Sequence, residues 1–157
     1  MIALLPDLRR YARFLVRDAA EADDLVQETL ARALGALPQY RHDVSLRGWL
    51  FTIQRNLFYE QARRKRTERG VLEGAGAADE HCAPAQHDRL DLADLTRHLF
   101  ELPPLMREAL VLVGAHGLSY DDAATICDVP VGTLKARVSR ARAQLGRAMA
   151  PCATGKV

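Results

Sequence analysis

VPVGTLKARVSRARAQLGRAMA, residues Val129–Ala150, carries Lys135, Arg137, Arg140, Arg142 and Arg147 and contains no acid. Leu134, Val138, Ala141 and Leu145 recur at steps of four, three and four, so a helix through this stretch gathers them on one narrow apolar stripe. The stripe faces a core. Lys135, Arg137, Ser139, Arg140 and Gln144 project from the remaining arc, which leaves one side apolar and the other basic and rich in hydrogen-bond donors.

The residues upstream decide how that helix is presented. Ser119 is placed to cap a helix over YDDAATIC, and Asp121 and Asp122 in its first turn suit the positive end of the helix dipole. Asp128 stands where the chain must turn sharply, a position for glycine or a small polar residue that tolerates left-handed backbone, and Pro130 opens the next helix. Pro103 and Pro104 fit the first turn of an earlier helix, MREALVLVGAHG, which runs to Gly117. A basic amphipathic helix alone could equally lie on a membrane or bind a protein partner. Set behind a short helix and a tight turn, it matches the helix-turn-helix that enters a major groove. There arginine reads guanine edges through two hydrogen bonds, and either base neutralises phosphates.

The rest of the 157 residues also reads as helix: Ala, Leu, Arg and Glu dominate, and no run alternates apolar and polar in the manner of a strand. Between Arg66 and Gln86 the apolar periodicity disappears into RTERGVLEGAGAADEHCAPAQ, which has the composition of a connector. The expected fold is therefore all-α, with two small helical domains joined by a flexible linker: residues 1–66, a linker over 67–87, and residues 88–157 containing the helix-turn-helix. With 48% hydrophobic residues, each half can build a core.

The net charge of +2 hides a sorted distribution. Asp18 to Glu28 holds only acids, whereas Val129 to Val157 holds only bases, as expected if separate faces meet separate partners. Cys82, Cys127 and Cys152 are odd in number and far apart, which argues against a disulfide framework. No apolar run approaches the ~18 residues of a bilayer span, and MIALLPDLRRY is too short and too soon charged for a signal peptide, so a cytoplasmic location and no membrane contact are expected.

In the first half, DAAEADDLVQETLARAL places Leu25, Val26, Thr29, Leu30 and Ala33 on one helical face and Asp24, Gln27, Glu28 and Ala31 on the other. The second face is acidic, either a solvated surface or a dock for a basic partner. Pro38 ends the helix, Arg41 to Ser45 makes a polar loop, and a new helix begins near Leu46. That helix has two apolar stripes, Leu50, Ile53 and Leu57 on one side and Phe51, Phe58 and Ala62 on the other, so neighbours are expected on both flanks. Trp49, Ile53 and Asn56 align beside the loop. They could hold an unstacked base, or Trp49 could simply be the largest core residue. A dense positive run, RRKR, follows.

GLSYDDAATICDVPVGTLKARVSRARAQL resembles the promoter-reading region of bacterial sigma factors of the small extracytoplasmic-function group, and ADDLVQETLARAL and LRGWLFTIQRN resemble their polymerase-docking and promoter-melting segments in the order that family has them. Asp128 replaces the commoner turn glycine. The resemblance implies a dissociable subunit that directs core RNA polymerase to promoter DNA. Asp24, Gln27, Glu28 and Ala31 would meet the clamp helices of the largest subunit. Ala36, Tyr40, Arg41, His42, Asp43, Val44, Ser45, Ile53 and Asn56 would capture a flipped base of the element near minus ten, with Arg63 and Arg64 on the backbone beside the opened strands and Trp49 structural. In the element near minus thirty-five, Lys135, Ala136, Ser139 and Arg140 would face bases and Thr133, Arg137 and Arg142 phosphates, Arg142 being the nearer to the apolar stripe. REALVLVGAHGLSYDDAATIC and WLFTIQRNLFYEQ further resemble the alphaproteobacterial general stress response branch, which implies a soluble anti-sigma factor wedged between or wrapped around the two modules.

No enzyme is expected. The chain has no convincing nucleophile, acid–base pair or glycine-rich phosphate loop, so strand opening would draw on binding energy, with no cofactor. His81, Cys82 and His87 lack regular ligand spacing and a fourth partner, so no metal is expected. Cys127 reads as a small hydrophobe.

Overall fold

The computed structural model describes residues 1–72 and 90–150, and the described residues are mostly helical, with no strand. Seven α-helices follow one another: α1 (Leu5–Leu15), α2 (Ala19–Ala36), α3 (Leu46–Leu72), α4 (Leu90–Glu101), α5 (Pro104–Leu110), α6 (Tyr120–Cys127) and α7 (Val131–Met149). Single 3-10 turns precede α1 and follow α2, and a π-helical segment, Val111–Ala115, continues α5.

Local chemistry sets the boundaries of α2. Asp18 caps it by accepting from the Glu21 amide at 2.9 Å. Ala22, Leu25, Val26, Thr29 and Ala33 face inward, as their spacing requires. Thr29 is tolerated there because its hydroxyl donates to the Leu25 carbonyl at 2.6 Å, leaving no unpaired donor in the core.

Helix α3 does have neighbours on both flanks, packing against α1 and α2 and also against α6. Leu50, Phe51 and Leu57 are buried. Phe51 meets the Tyr11 ring at 4.9 Å between centroids and the His116 ring at 4.9 Å. The second stripe is shorter than its spacing suggests: Phe58 is half-buried and Ala62 is exposed. Gln54 is fully buried instead, its amide donating to the Leu8 carbonyl at 2.9 Å.

The helix continues through RRKRTERG to Leu72, so the first residues of the expected linker, 67–72, lie within α3. No proline interrupts it there. The glycine, alanine and acid-rich run that follows, with His81, Cys82 and His87, lies outside the described residues, as does Cys152.

In the second half, Pro104 occupies the first turn of α5 as expected. The stretch to Gly117 is not one regular helix, however. The Val111–Ala115 segment widens to π geometry, with the His116 amide donating to the Val111 carbonyl at 3.0 Å, before Gly117 reverses the chain at φ +63°. Ser119 caps α6, accepting from the Asp122 amide at 3.0 Å and donating to its carboxylate at 2.7 Å. Asp128 takes the left-handed conformation at φ 54°, ψ 50°, and α7 starts directly after Pro130. Leu134, Val138 and Ala141 are buried and Leu145 is half-buried, so the stripe faces the core, against α4, α5 and α6.

The two halves pack on each other. Helix α3 packs on α6 and α1 on α5, and one core of buried side chains runs through both.

Candidate nucleic-acid interface

The outer arc of α7 is open to solvent. Thr133, Lys135, Ser139, Arg140 and Arg142 are exposed and Ala136 is half-buried. Lys135 Nζ lies 5.7 Å from the centre of the Tyr120 ring, a cation–π contact that draws it toward the start of α6. Arg142 points outward despite its angle near the stripe. The residue that turns in is Arg137, half-buried, with Nη1 sealed from solvent and lacking a hydrogen-bond partner among the described residues. It follows Leu134 by three positions and precedes Ala141 by four, so it borders the buried stripe from the other side.

In the first half, the loop after α2 holds itself together. Tyr40 packs on Trp49 at 4.9 Å between centroids, the rings tilted by 45°, and donates its hydroxyl to the Val44 carbonyl at 2.6 Å. Arg41 and Asp43 form a paired salt bridge at 3.2 and 2.8 Å, and the Ser45 hydroxyl caps α3 through the Gly48 amide at 3.4 Å. Arg41, His42, Asp43, Val44 and Ser45 are exposed, and Ala36, Tyr40, Trp49 and Ile53 are half-buried. Asn56 and Arg63 line a different space. With Arg55, Tyr59, Arg66 and Leu105 they border a cleft of about 710 Å³ between α3 and the start of α5, within the roughly 300–1,000 Å³ range of small-ligand sites. Arg64 lies 3.6 Å from Glu60.

Along α2, Asp24, Gln27, Glu28 and Ala31 are all exposed on one face. The edge of that face is tied to α3. Lys65 reaches Glu21 at 2.9 Å, Gln61 donates to Glu28 at 2.6 Å, and Arg32 pairs with Glu60 at 2.8 Å. Exposed pairs of this kind contribute at most ~1 kcal/mol each, so they orient side chains more than they stabilise the fold.

The cluster between the halves joins residues far apart in the sequence. Glu108 on α5 is buried and accepts from Tyr11 Oη at 3.0 Å, Arg55 Nε at 2.8 Å and Tyr59 Oη at 3.2 Å. Burial disfavours the Arg55 charge, but Glu108 more than offsets this and the guanidinium pKa ends raised. Burial and then Glu108 push the Tyr59 phenol and the Cys127 thiol up to about 12. Cys127 is thus an inert, buried thiol. Two turns earlier on α3, Arg47 Nη2 lies 3.4 Å from His116 Nδ1, and its Nε lies 3.2 Å from Asp7. Burial first and Arg47 second lower the His116 pKa to about 4. One signal was available. Glu108 falls four positions before buried Leu112, an acid on the inward face of its helix.

Comparison with known proteins places this geometry in a family. Residues 1–68 match Sigma-70 region 2 and residues 93–145 match Sigma-70, region 4. The ECF RNA polymerase sigma factor EcfG of Rhodopseudomonas palustris is 46% identical over 145 residues, covering 92% of this chain and 80% of that one. The ECF sigma factor SigC of Mycobacterium tuberculosis is 40% identical over 139 residues, covering 87% and 74%. Among solved structures, the sigma factor RpoE of Bartonella quintana, in complex with the anti-sigma factor NepR, superposes with a TM-score of 0.82 at 41% identity, covering 94% of this chain and 92% of that one. With a helix-turn-helix in the second half and an acidic α2 face in the first, the chain belongs to the sigma-70 family as an extracytoplasmic-function sigma factor, a non-enzymatic subunit that directs RNA polymerase to promoters.

Proposed function

We propose that residues 1–66 dock on polymerase and read the element near minus ten, that residues 88–157 read the element near minus thirty-five, and that residues 67–87 join them. Asp24, Gln27, Glu28 and Ala31 meet the clamp helices of the largest subunit. Lys135, Ala136, Ser139 and Arg140 face bases, and Thr133 and Arg142 meet phosphates. Arg137 reaches a phosphate only by turning its guanidinium out of the core. Downstream, Ala36, Tyr40, the 41–45 loop, Ile53 and Asn56 receive the flipped base, with Arg63 and Arg64 on the backbone.

The observation that carries this reading is the exposure, on one chain, of both the α2 acidic face and the donor-rich arc of α7. The geometry also sets a requirement. Elements ~25 base pairs apart span roughly 85 Å of duplex at 3.4 Å per pair. A compact chain of this length has a radius of gyration of only ~15 Å. The halves therefore part when both elements are read, and polymerase supplies the binding energy that separates them.

The chain acts in the cytoplasm, in a stress response, and is restrained by a soluble anti-sigma factor, as its Bartonella quintana relative is held by NepR. Among the described residues no helix is long and apolar enough to cross a membrane. The test is association with core polymerase. Glu28→Lys should weaken it by about tenfold while leaving the melting temperature within a few degrees of the parent, since Glu28 is exposed. Unchanged affinity would remove Glu28 from the dock.

A further inference from the structure

Arg47, Phe51, Arg55 and Tyr59 follow one another every fourth residue along α3 and form a single stripe on which arginine and aromatic alternate. The Arg47 guanidinium lies 5.4 Å from the centre of the Phe51 ring, and that of Arg55 lies 4.7 Å from the centre of Tyr59. Guanidinium groups interleaved with rings are what a nucleic-acid strand needs, charge for its phosphates and flat faces for its bases. The stripe continues into the open cleft through Arg63 and Arg66. Their neighbours Arg64 and Lys65 are paired with Glu60 and Glu21, whereas Arg63 and Arg66 have no ion-pair partner among the described residues.

The second half covers the upper part of this stripe. The Glu108 side chain, 1% exposed, sets Oε1 on Arg55 Nε at 2.8 Å and Oε2 on Tyr59 Oη at 3.2 Å. Two acceptor oxygens on one centre, bridging a guanidinium and a phenol, reproduce the way the two free oxygens of a phosphodiester are held. Resting on the reading of the chain as a promoter-binding factor, we propose that Arg55 and Tyr59 form a phosphate site for the backbone of a DNA strand, and that Glu108 fills it in the free chain as a carboxylate stand-in. A buried ion pair is no better than apolar packing for simply joining two halves. The choice of arginine and tyrosine is explained if a second, phosphate-bearing ligand uses them. One site cannot hold both anions, so strand binding there and the packed arrangement of the halves exclude each other.

The whole 157-residue chain, without polymerase, is titrated by fluorescence anisotropy with a labelled forked oligonucleotide at two salt concentrations. Glu108→Gln removes the stand-in charge at nearly constant size. Glu101→Gln, on an exposed residue of the same half, removes one charge away from the stripe. The expected result is that Glu108→Gln binds roughly tenfold more tightly than Glu101→Gln, with a steeper salt dependence, and that adding Arg55→Gln abolishes the gain. Equal affinities for the two single variants, or a gain that survives Arg55→Gln, would overturn the proposal. If Glu108→Gln melts below the assay temperature, Tyr59→Phe in the polymerase-bound form decides. It deletes one hydroxyl and should weaken forked promoter DNA several-fold whatever the sequence, and unchanged affinity would overturn the proposal. The titration involves no polymerase, so a chain that fails it yet still gives promoter-specific transcripts loses this site and keeps its place among sigma factors.

Discussion

Arg55 and Glu108, 53 positions apart and carried by opposite halves of the chain, meet at 2.8 Å where the carboxylate is 1% exposed. Contacts of this sort carry high stakes in either direction. Intact, the carboxylate has donors from Tyr11, Arg55 and Tyr59. Broken, it leaves an arginine and two phenols that water reaches poorly. Glu108→Ala should therefore destabilise the free chain by about 3–5 kcal/mol, read as a shift of the urea midpoint. A loss below about 1 kcal/mol would mean that the halves do not rest on this contact.

His116 gives the free chain an acid limit. Its folded-state pKa is lowered from the usual 6.5 to about 4, so between those values the unfolded chain binds the extra proton and the folded chain does not. Stability is fully present above pH 6.5 and falls as the pH drops toward 4. The loss from this group is about 3 kcal/mol at 1.36 kcal/mol per unit. Denaturation midpoints at pH 7.0 and 4.5 should differ by most of that amount in the parent and by clearly less in His116→Phe, which keeps a ring beside Tyr11 and Phe51. An unchanged difference would assign the acid limit to other groups.

Asp128 is the only non-glycine residue with positive φ among the described residues. Left-handed backbone costs an ordinary L-residue roughly 1–2 kcal/mol, less for aspartate and nothing for glycine. Asp128→Gly should be neutral or raise the melting temperature slightly, whereas Asp128→Val should lower stability by about 1–2 kcal/mol. Equal effects of the two variants would show that the turn can relax out of this conformation.

Local chemistry was legible in the sequence. The Ser119 cap, the Asp128 turn, the inward stripe of α7 and the two faces of α2 depend on residues within a few positions of one another, where helical periodicity and capping preferences act. The Glu108 cluster was not legible, because its partners lie 97, 53 and 49 positions away and no local pattern reports such a pairing. The same holds for the placement of two arginines. Arg137 sits at the margin of the stripe, and neighbouring elements decide whether it points in or out. Nothing within a few positions of Arg55 reports its burial, yet its side chain is 14% exposed. Helix α3 runs on into the expected connector as far as Leu72, because Thr67 to Leu72 holds no proline and its glutamate, arginine and leucine are good helix formers.

The division of labour between the halves is the central claim, and run-off transcription with core polymerase on matched templates tests it most directly. One template carries the parent promoter, a second has substitutions near minus thirty-five and a third near minus ten. The parent protein should lose transcript on both altered templates. Arg140→Ala should become indifferent to the upstream substitutions, giving up about 1–3 kcal/mol of discrimination there while still requiring the downstream element. Asn56→Ala should show the reverse pattern. Variants that lose discrimination at both elements together, or each at the other's element, would contradict the account.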